Sequence, residues 1–209
     1  MTGPAIAMVD YGMGNRRSVE KALVRAGADV RVTAEHDVLR AADGVYVPGV
    51  GAFPAAMAAL RERGLDTVLR ELAQDGMPVM GSCLGMQLLF ERSEEHGGAE
   101  GLGLLPGTVV KLDTAGLKLP HIGWNHVRWV ADTPLATGLP DPVALYHVHS
   151  FVPRVDDDLV LGVGSYGTTF PSIVGRGRVW GAQCHPEKSS HEGLALLRNF
   201  VAQCAGVHA

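Results

Sequence analysis

The stretch Pro78-Val79-Met80-Gly81-Ser82-Cys83-Leu84-Gly85-Met86-Gln87-Leu88-Leu89-Phe90-Glu91 decides how this chain is read. Residues 78–80 predict a short buried strand and residues 84–91 a helix, with a glycine-bounded turn between them centred on Cys83. A strand, a sharp Gly-x-Cys-x-Gly turn and a helix have the form of a nucleophile elbow. In such a turn the central backbone is strained and neighbouring chain passes close, so Gly81 and Gly85 stand where side chains would clash. Cys83 then lies at a helix N-terminus, where the macrodipole and free N–H groups favour thiolate, and the N–H of Leu84 is placed as an oxyanion donor. The same five residues also fit a small buried thiol in a glycine-rich turn, and only a base can decide between the two.

Strand and helix signals alternate on the N-terminal side. Strands are expected over 5–9, 29–32 and 44–47, and helices over 15–26 (Val19, Leu23 and Ala26 on one face, with a stop at Gly27), 55–63 and 65–74. This is the βαβ pattern of a parallel sheet. After Gly97-Gly98 the texture becomes β-rich, with strands expected over 108–112, 125–130, 143–151, 159–165, 172–175 and 179–184. A last helix follows Ser189, which with Glu192 has the spacing of a capping box. The expected fold is α/β: an open, mostly parallel twisted sheet flanked by helices, with additional antiparallel strands in the C-terminal half. A single domain over 1–209 is expected, because a chain of this length can bury roughly 70% of its unfolded surface.

Composition excludes several classes. With 46% hydrophobic and 19% charged residues the chain is not disordered, and a net charge of −4 provides no basic patch for a nucleic acid backbone. Residues 1–9 are apolar but lack a basic leader, and no apolar run approaches the ~20 residues of a membrane span, so a cytoplasmic location without membrane association is expected. The three cysteines, Cys83, Cys184 and Cys204, form neither a CxxC nor an even disulfide set.

A base is found at His185-Pro186-Glu187, after the strand over 179–184. In an extended stretch residues i and i+2 point the same way, so Glu187 can orient one imidazole nitrogen while the other faces a nucleophile. Alone, His-Pro-Glu also fits an exposed turn. Joined to the elbow at the C-terminal end of another strand, it completes a Cys-His-Glu triad where open α/β sheets place their sites. The other histidines, His121, His126, His147 and His149, lack accompanying carboxylates, and no metal site is expected. The formal GxGxxG at Gly162 to Gly167 is followed by Thr168-Thr169-Phe170-Pro171 rather than a helix, so it is not read as a dinucleotide site. Asp156-Asp157-Asp158 reads as a solvated turn.

These residues resemble class I glutamine amidotransferases and, within them, the glutaminase subunits of imidazole glycerol phosphate synthases. The narrower resemblance rests on Asp10-Tyr-Gly-Met-Gly-Asn15, Pro48-Gly-Val-Gly-Ala-Phe53, Cys83-Leu-Gly-Met-Gln-Leu-Leu-Phe90, His121-Ile-Gly-Trp-Asn125, His149-Ser-Phe151 and His185-Pro-Glu-Lys-Ser189, six blocks in order nearly end to end. The resemblance implies that Cys83 attacks the carboxamide of L-glutamine, that His185 protonates departing ammonia and then activates water on the thioester, and that Glu187 orients His185. It implies oxyanion donors at Val50 and Gly51 opposite Leu84, substrate contacts at Gln87, Ser150 and Phe151, and no cofactor. It also implies a heterodimer with a (β/α)8-barrel cyclase subunit that consumes the ammonia, with Asn15, Trp124, Tyr146 and Lys188 at the interface. A plain core position is the other reading of Trp124, and a solvated charge that of Lys188.

Ser82 and Cys184 depart from the family pattern, which has an apolar residue before the nucleophile and an aromatic one before the histidine. Alternation directs Cys184 away from His185, which makes a packing change of it, although a second reactive thiol stays open. Two rivals remain on these residues: a glutaminase of another class I amidotransferase, against which the block 121–125 speaks, and a catalytically silent interaction module, which has no reason to keep Cys83, His185 and Glu187 together.

Overall fold

The computed structural model describes residues 3–13 and 16–205. The first half runs β1 (Ala5–Val9), α1 (Arg16–Arg25), β2 (Asp29–Thr33), α2 (His36–Arg40), β3 (Gly44–Val47), α3 (Phe53–Glu62), α4 (Leu65–Gln74), β4 (Val79–Ser82) and α5 (Leu84–Leu88). The second half runs β5 (Phe90–Ser93), β6 (Ala99–Glu100), β7 (Leu105–Lys111), β8 (His121–Trp129), β9 (Val143–His149), β10 (Phe151–Arg154), β11 (Val160–Tyr166), β12 (Thr168–Arg176), β13 (Val179–Ala182) and α6 (Ser190–Cys204).

A nine-stranded sheet has the order β2-β1-β3-β4-β13-β12-β11-β8-β9. Its first five strands are mutually parallel and the rest, all from the C-terminal half, pair antiparallel, so the sheet is mixed as the expected antiparallel additions require. Alternation along the strands feeds two cores. Ala7, Val9, Val45, Val47 and Val79 face α3 and α4, while Ile6, Met8, Tyr46 and Met80 face α1 and α6. The last strand of the parallel block, β13, lies beside β4, and this brings a segment from late in the sequence next to the elbow.

Three departures from the sequence reading have physical causes. The apolar run 84–91 is not one helix: α5 ends at Leu88 and β5 begins at Phe90, because a fully buried run carries no face by which periodicity can tell helix from strand. The strand expected over 143–151 breaks at Ser150, and β10 leaves the main sheet to pair with β7 in a second, four-stranded sheet ordered β10-β7-β5-β6. Helix α2, a single turn with only Leu39 buried, gives too little signal to read.

Candidate active site

Cys83 sits between β4 and α5 with φ 53° and ψ −117°, a backbone conformation that a non-glycine residue occupies only when its surroundings impose it. The surroundings are the two flanking glycines. A Cβ on Gly81 would stand 2.4 Å from the Gly85 carbonyl oxygen, so the elbow folds too tightly for a side chain there. Gly49, after β3, is equally confined, since its Cβ would meet Gly85 N at 2.6 Å and the Tyr11 hydroxyl at 2.8 Å. Tyr11 donates its hydroxyl to the Pro48 carbonyl at 2.6 Å, pinning the segment 48–51 beside the elbow. The helix behind Cys83 has only five residues, so less macrodipole acts on the thiol than an eight-residue helix would supply. Ser82 is buried where the pattern has an apolar residue, and its hydroxyl acts on that of Tyr46, partly offsetting the upward push of burial on the phenol.

His185 follows β13 and donates from Nδ1 to Glu187 Oε1 at 2.9 Å, with both side chains almost wholly buried. The geometry differs from the extended one expected: Pro186–Lys188 form a single 3-10 turn, which curls the carboxylate back onto the ring. Burial works against the imidazolium, but hydrogen bonds to Cys83 and Glu187 and their charges outweigh it and lift His185 to about 9. The thiol has a second contact, a weak one from Sγ to the Val148 carbonyl at 3.6 Å.

The Ser189 side chain does not cap α6. Its hydroxyl instead donates to the His185 carbonyl at 2.7 Å and accepts from the Tyr146 N–H at 2.9 Å, while His185 N–H donates to the Tyr146 carbonyl at 2.8 Å. The base is thereby fastened to the edge strand β9. Cys184 points into the core and is fully buried, and burial pushes its thiol far above the ordinary range, which leaves it inert.

A cavity of about 240 Å³ is lined by Gly51, Gln87, Glu95, Ser150, Phe151 and Val148, whose carbonyl is the one the Cys83 thiol meets, among others. It collects three substrate candidates, Gln87, Ser150 and Phe151, and one oxyanion candidate, Gly51. The φ of Gly51 is +109°, and neither its N–H nor that of Val50 has an acceptor among the described residues. Glu95 was missed by sequence reasoning. Its Oε2 accepts from Phe53 N–H at 2.8 Å, and it places a carboxylate in the lining of the cavity. The only signal was an acidic residue in a charged loop after the elbow helix.

Histidines read as unlikely metal ligands form a proton-ordered chain instead. Because the Phe151 carbonyl can only accept, His149 Nδ1, 3.2 Å from it, carries the proton. His149 Nε2 then accepts from His121 Nδ1 at 3.1 Å, and His121 Nε2 accepts from Asn125 Nδ2 at 3.3 Å. His147 donates to the Leu145 carbonyl at 3.0 Å and accepts from the Ser172 hydroxyl at 2.8 Å. Among the described residues no group of three or more side chains can hold a metal ion, and no helix is long and apolar enough to cross a membrane.

Of the interface candidates, Asn15 lies outside the described residues. Trp124 is 55% exposed, which removes the core reading, and its ring lies 6.0 Å from that of its cross-strand partner Tyr146. With Ile122, 60% exposed on the same face of β8, they make an apolar surface, and Lys188 is exposed on the turn after His185, whose N–H meets the Tyr146 carbonyl.

The model of the family described as glutamine amidotransferase class-I matches residues 7–204, and the chain belongs to that family. Within it the likeness narrows. The chain is 52% identical over 195 residues to the imidazole glycerol phosphate synthase subunit HisH of Bacillus cereus (strain G9842), covering 93% of each chain. It is 51% identical over 196 residues to the subunit HisH of Desulfitobacterium hafniense (strain Y51), covering 93% of this chain and 92% of the relative. Among solved structures, PurLQS from Thermotoga maritima shares the fold with a TM-score of 0.76 at 20% identity, covering 96% of this chain and 98% of that one. A crystal structure described as glutamine amidotransferase has a TM-score of 0.75 at 22% identity, covering 95% and 98%.

Proposed function

We propose that this chain, as one domain over 1–209, is the cytoplasmic glutaminase subunit of an imidazole glycerol phosphate synthase. It hydrolyses L-glutamine and passes the ammonia to a separate (β/α)8-barrel cyclase. The observation that carries the reading is the buried His185–Glu187 pair, 2.9 Å apart, set on the strand beside the strained Cys83 elbow.

Cys83 Sγ attacks the side-chain carbonyl carbon of glutamine, and the negative charge forming on oxygen is met by backbone N–H groups of Leu84 and of Val50 or Gly51. His185, held as imidazolium by Glu187 and the thiolate, gives its proton to the leaving nitrogen, and ammonia departs from a Cys83 thioester. The now neutral His185 takes a proton from water, hydroxide adds to the thioester, and glutamate leaves with the thiolate restored. Glu95 pairs with the substrate ammonium, and Gln87 and the 150–151 backbone bind the rest of it. None of these steps draws on a cofactor.

The ammonia acceptor is a phosphorylated ribulosyl aminoimidazole carboxamide on the cyclase, which yields imidazole glycerol phosphate and an aminoimidazole carboxamide ribotide in histidine biosynthesis. The exposed apolar face of Trp124, Tyr146 and Ile122 supports a protein partner seated on β8 and β9. Ammonia release from L-glutamine by the complex, measured for the wild type and Cys83→Ala, tests the reading. Turnover surviving in C83A overturns it.

A further inference from the structure

Gln183 was not singled out by the sequence and takes no part in the chemistry above, yet it is fully buried one residue from Cys184 and two from the base. Its side chain meets that of Gln87, whose Nε2 lies 3.0 Å from the Phe151 carbonyl oxygen and 3.1 Å from Gln183 Oε1. The orientation of both amides follows from the backbone. A carbonyl oxygen can only accept, so the Gln87 atom against Phe151 is its NH2, and the Gln183 atom against that NH2 is an oxygen. Both Gln87 amide hydrogens are then used inside the protein. Gln87 Oε1 takes no hydrogen bond from the described residues, and Gln87, whose N–H donates to the Cys83 carbonyl, lines the cavity.

We infer that Gln183 is a positioning residue that locks the Gln87 amide so that only its oxygen faces the cavity, making Gln87 a selective acceptor for an N–H group of the bound amino acid. This rests on the glutaminase reading given above. The lock costs something: Gln183 Nε2 is buried without an acceptor among the described residues, which a purely structural amide would avoid. A methionine of similar length at this position removes that orphan donor, and with it the acceptor that holds Gln87. Only the Phe151 carbonyl then holds the Gln87 amide, which can flip its NH2 toward the substrate at the cost of one hydrogen bond rather than two.

The test is steady-state ammonia release from L-glutamine by the complex with the cyclase and its nucleotide substrate. Variants are Gln183→Met, Gln183→Glu, Gln87→Ala and the double variant Q87A/Q183M. Q183M is expected to raise KM about tenfold with kcat within about threefold, the loss of one oriented hydrogen bond, and to leave Tm within about 2 °C of the wild type. Q183E keeps an acceptor for Gln87 and is expected to hold KM within about threefold. In the Q87A background Q183M should change KM by less than about twofold, since Gln183 acts only through Gln87. An unchanged KM in Q183M, or the same rise with and without Gln87, overturns the role. Should Q183M fail to assemble, a tenfold KM rise in Q183E does so. A wild-type complex that releases no ammonia sinks the glutaminase reading itself, whereas an active wild type with an indifferent Q183M sinks only the role of Gln183.

Discussion

Gly85 lies so close to β3 that a Cβ built on it would stand 1.9 Å from the Val47 carbonyl oxygen and 2.8 Å from the Val47 carbonyl carbon. Both are backbone atoms of a central strand, so they cannot give way as a flexible side chain would. Gly85→Ala should therefore push the elbow off β3, costing about 2–3 kcal/mol of stability as overpacking does. Glutaminase activity should fall by more than about a hundredfold, because displacements of about 1 Å at a reacting atom are that costly. Denaturant midpoints and ammonia release check both. Near wild-type values for either would mean that the elbow is looser than this contact requires.

The buried imidazoles set the pH range of stability. Burial first, then neighbouring imidazoles, depress His147 and His149 to about 3, so below the ordinary 6.5 the unfolded chain binds protons that the folded one refuses. Stability should fall as pH drops from 6.5 toward 3, by at most about 1.4 kcal/mol per pH unit for each group. His185 runs the other way. Raised to about 9, it contributes fully below 6.5, and that contribution is lost as pH rises through 9. Urea denaturation should show an optimum near pH 6.5, with the acid limb flattened in His147→Phe and the alkaline limb flattened in Glu187→Gln. Unaltered limbs in these variants would count against the assignment.

The segment 48–51 should link the cyclase to turnover. Gly51, at φ +109°, adopts a conformation that side chains resist, and the N–H groups of Val50 and Gly51, without acceptors among the described residues, let the peptide reorient. The isolated chain is expected to release ammonia slowly and to be strongly stimulated when the cyclase holds its nucleotide substrate. Gly51→Ala should lose most of the stimulation while binding the cyclase normally. Equal turnover with and without the loaded partner would refute the coupling.

Trp124 gives the proposed docking surface a test that leaves the fold alone. Exposed by 55%, it contributes little to the isolated chain, whereas a tryptophan buried at an interface centre is commonly worth 2 kcal/mol or more. Trp124→Ala should weaken the complex with the cyclase by about thirtyfold in calorimetry with an unchanged Tm. Lys188→Ala, at the rim, should chiefly slow association at low salt. A W124A subunit that binds as tightly as the wild type would exclude this face.

Much of the site was legible because its chemistry needs residue types that cluster in sequence: two glycines around a cysteine, and a carboxylate two positions from a histidine. The parallel half of the sheet was legible from alternating strand and helix signals. What escaped depends on contacts between distant segments. The split of 84–91 is decided by burial on every side, and the break at Ser150 by which sheet each half joins. The side chain of Ser189 could not be assigned from its spacing to Glu192, because the competing partners, Tyr146 N–H and the His185 carbonyl, come from tertiary structure. Gln183 carries no local pattern and Glu95 only that of an acidic residue in a charged stretch, so the cavity and the amide geometry are what single them out.

The adjacency of β4 and β13 has a consequence for synthesis of the chain. The nucleophile leaves the ribosome well before its base, and until β13 is made the middle of the sheet is open where that strand belongs. A nascent or prematurely ended polypeptide thus carries a thiol with nothing to protonate a leaving amine. On the roles proposed for Cys83 and His185, such a chain would leave glutamine intact until β13 is in place.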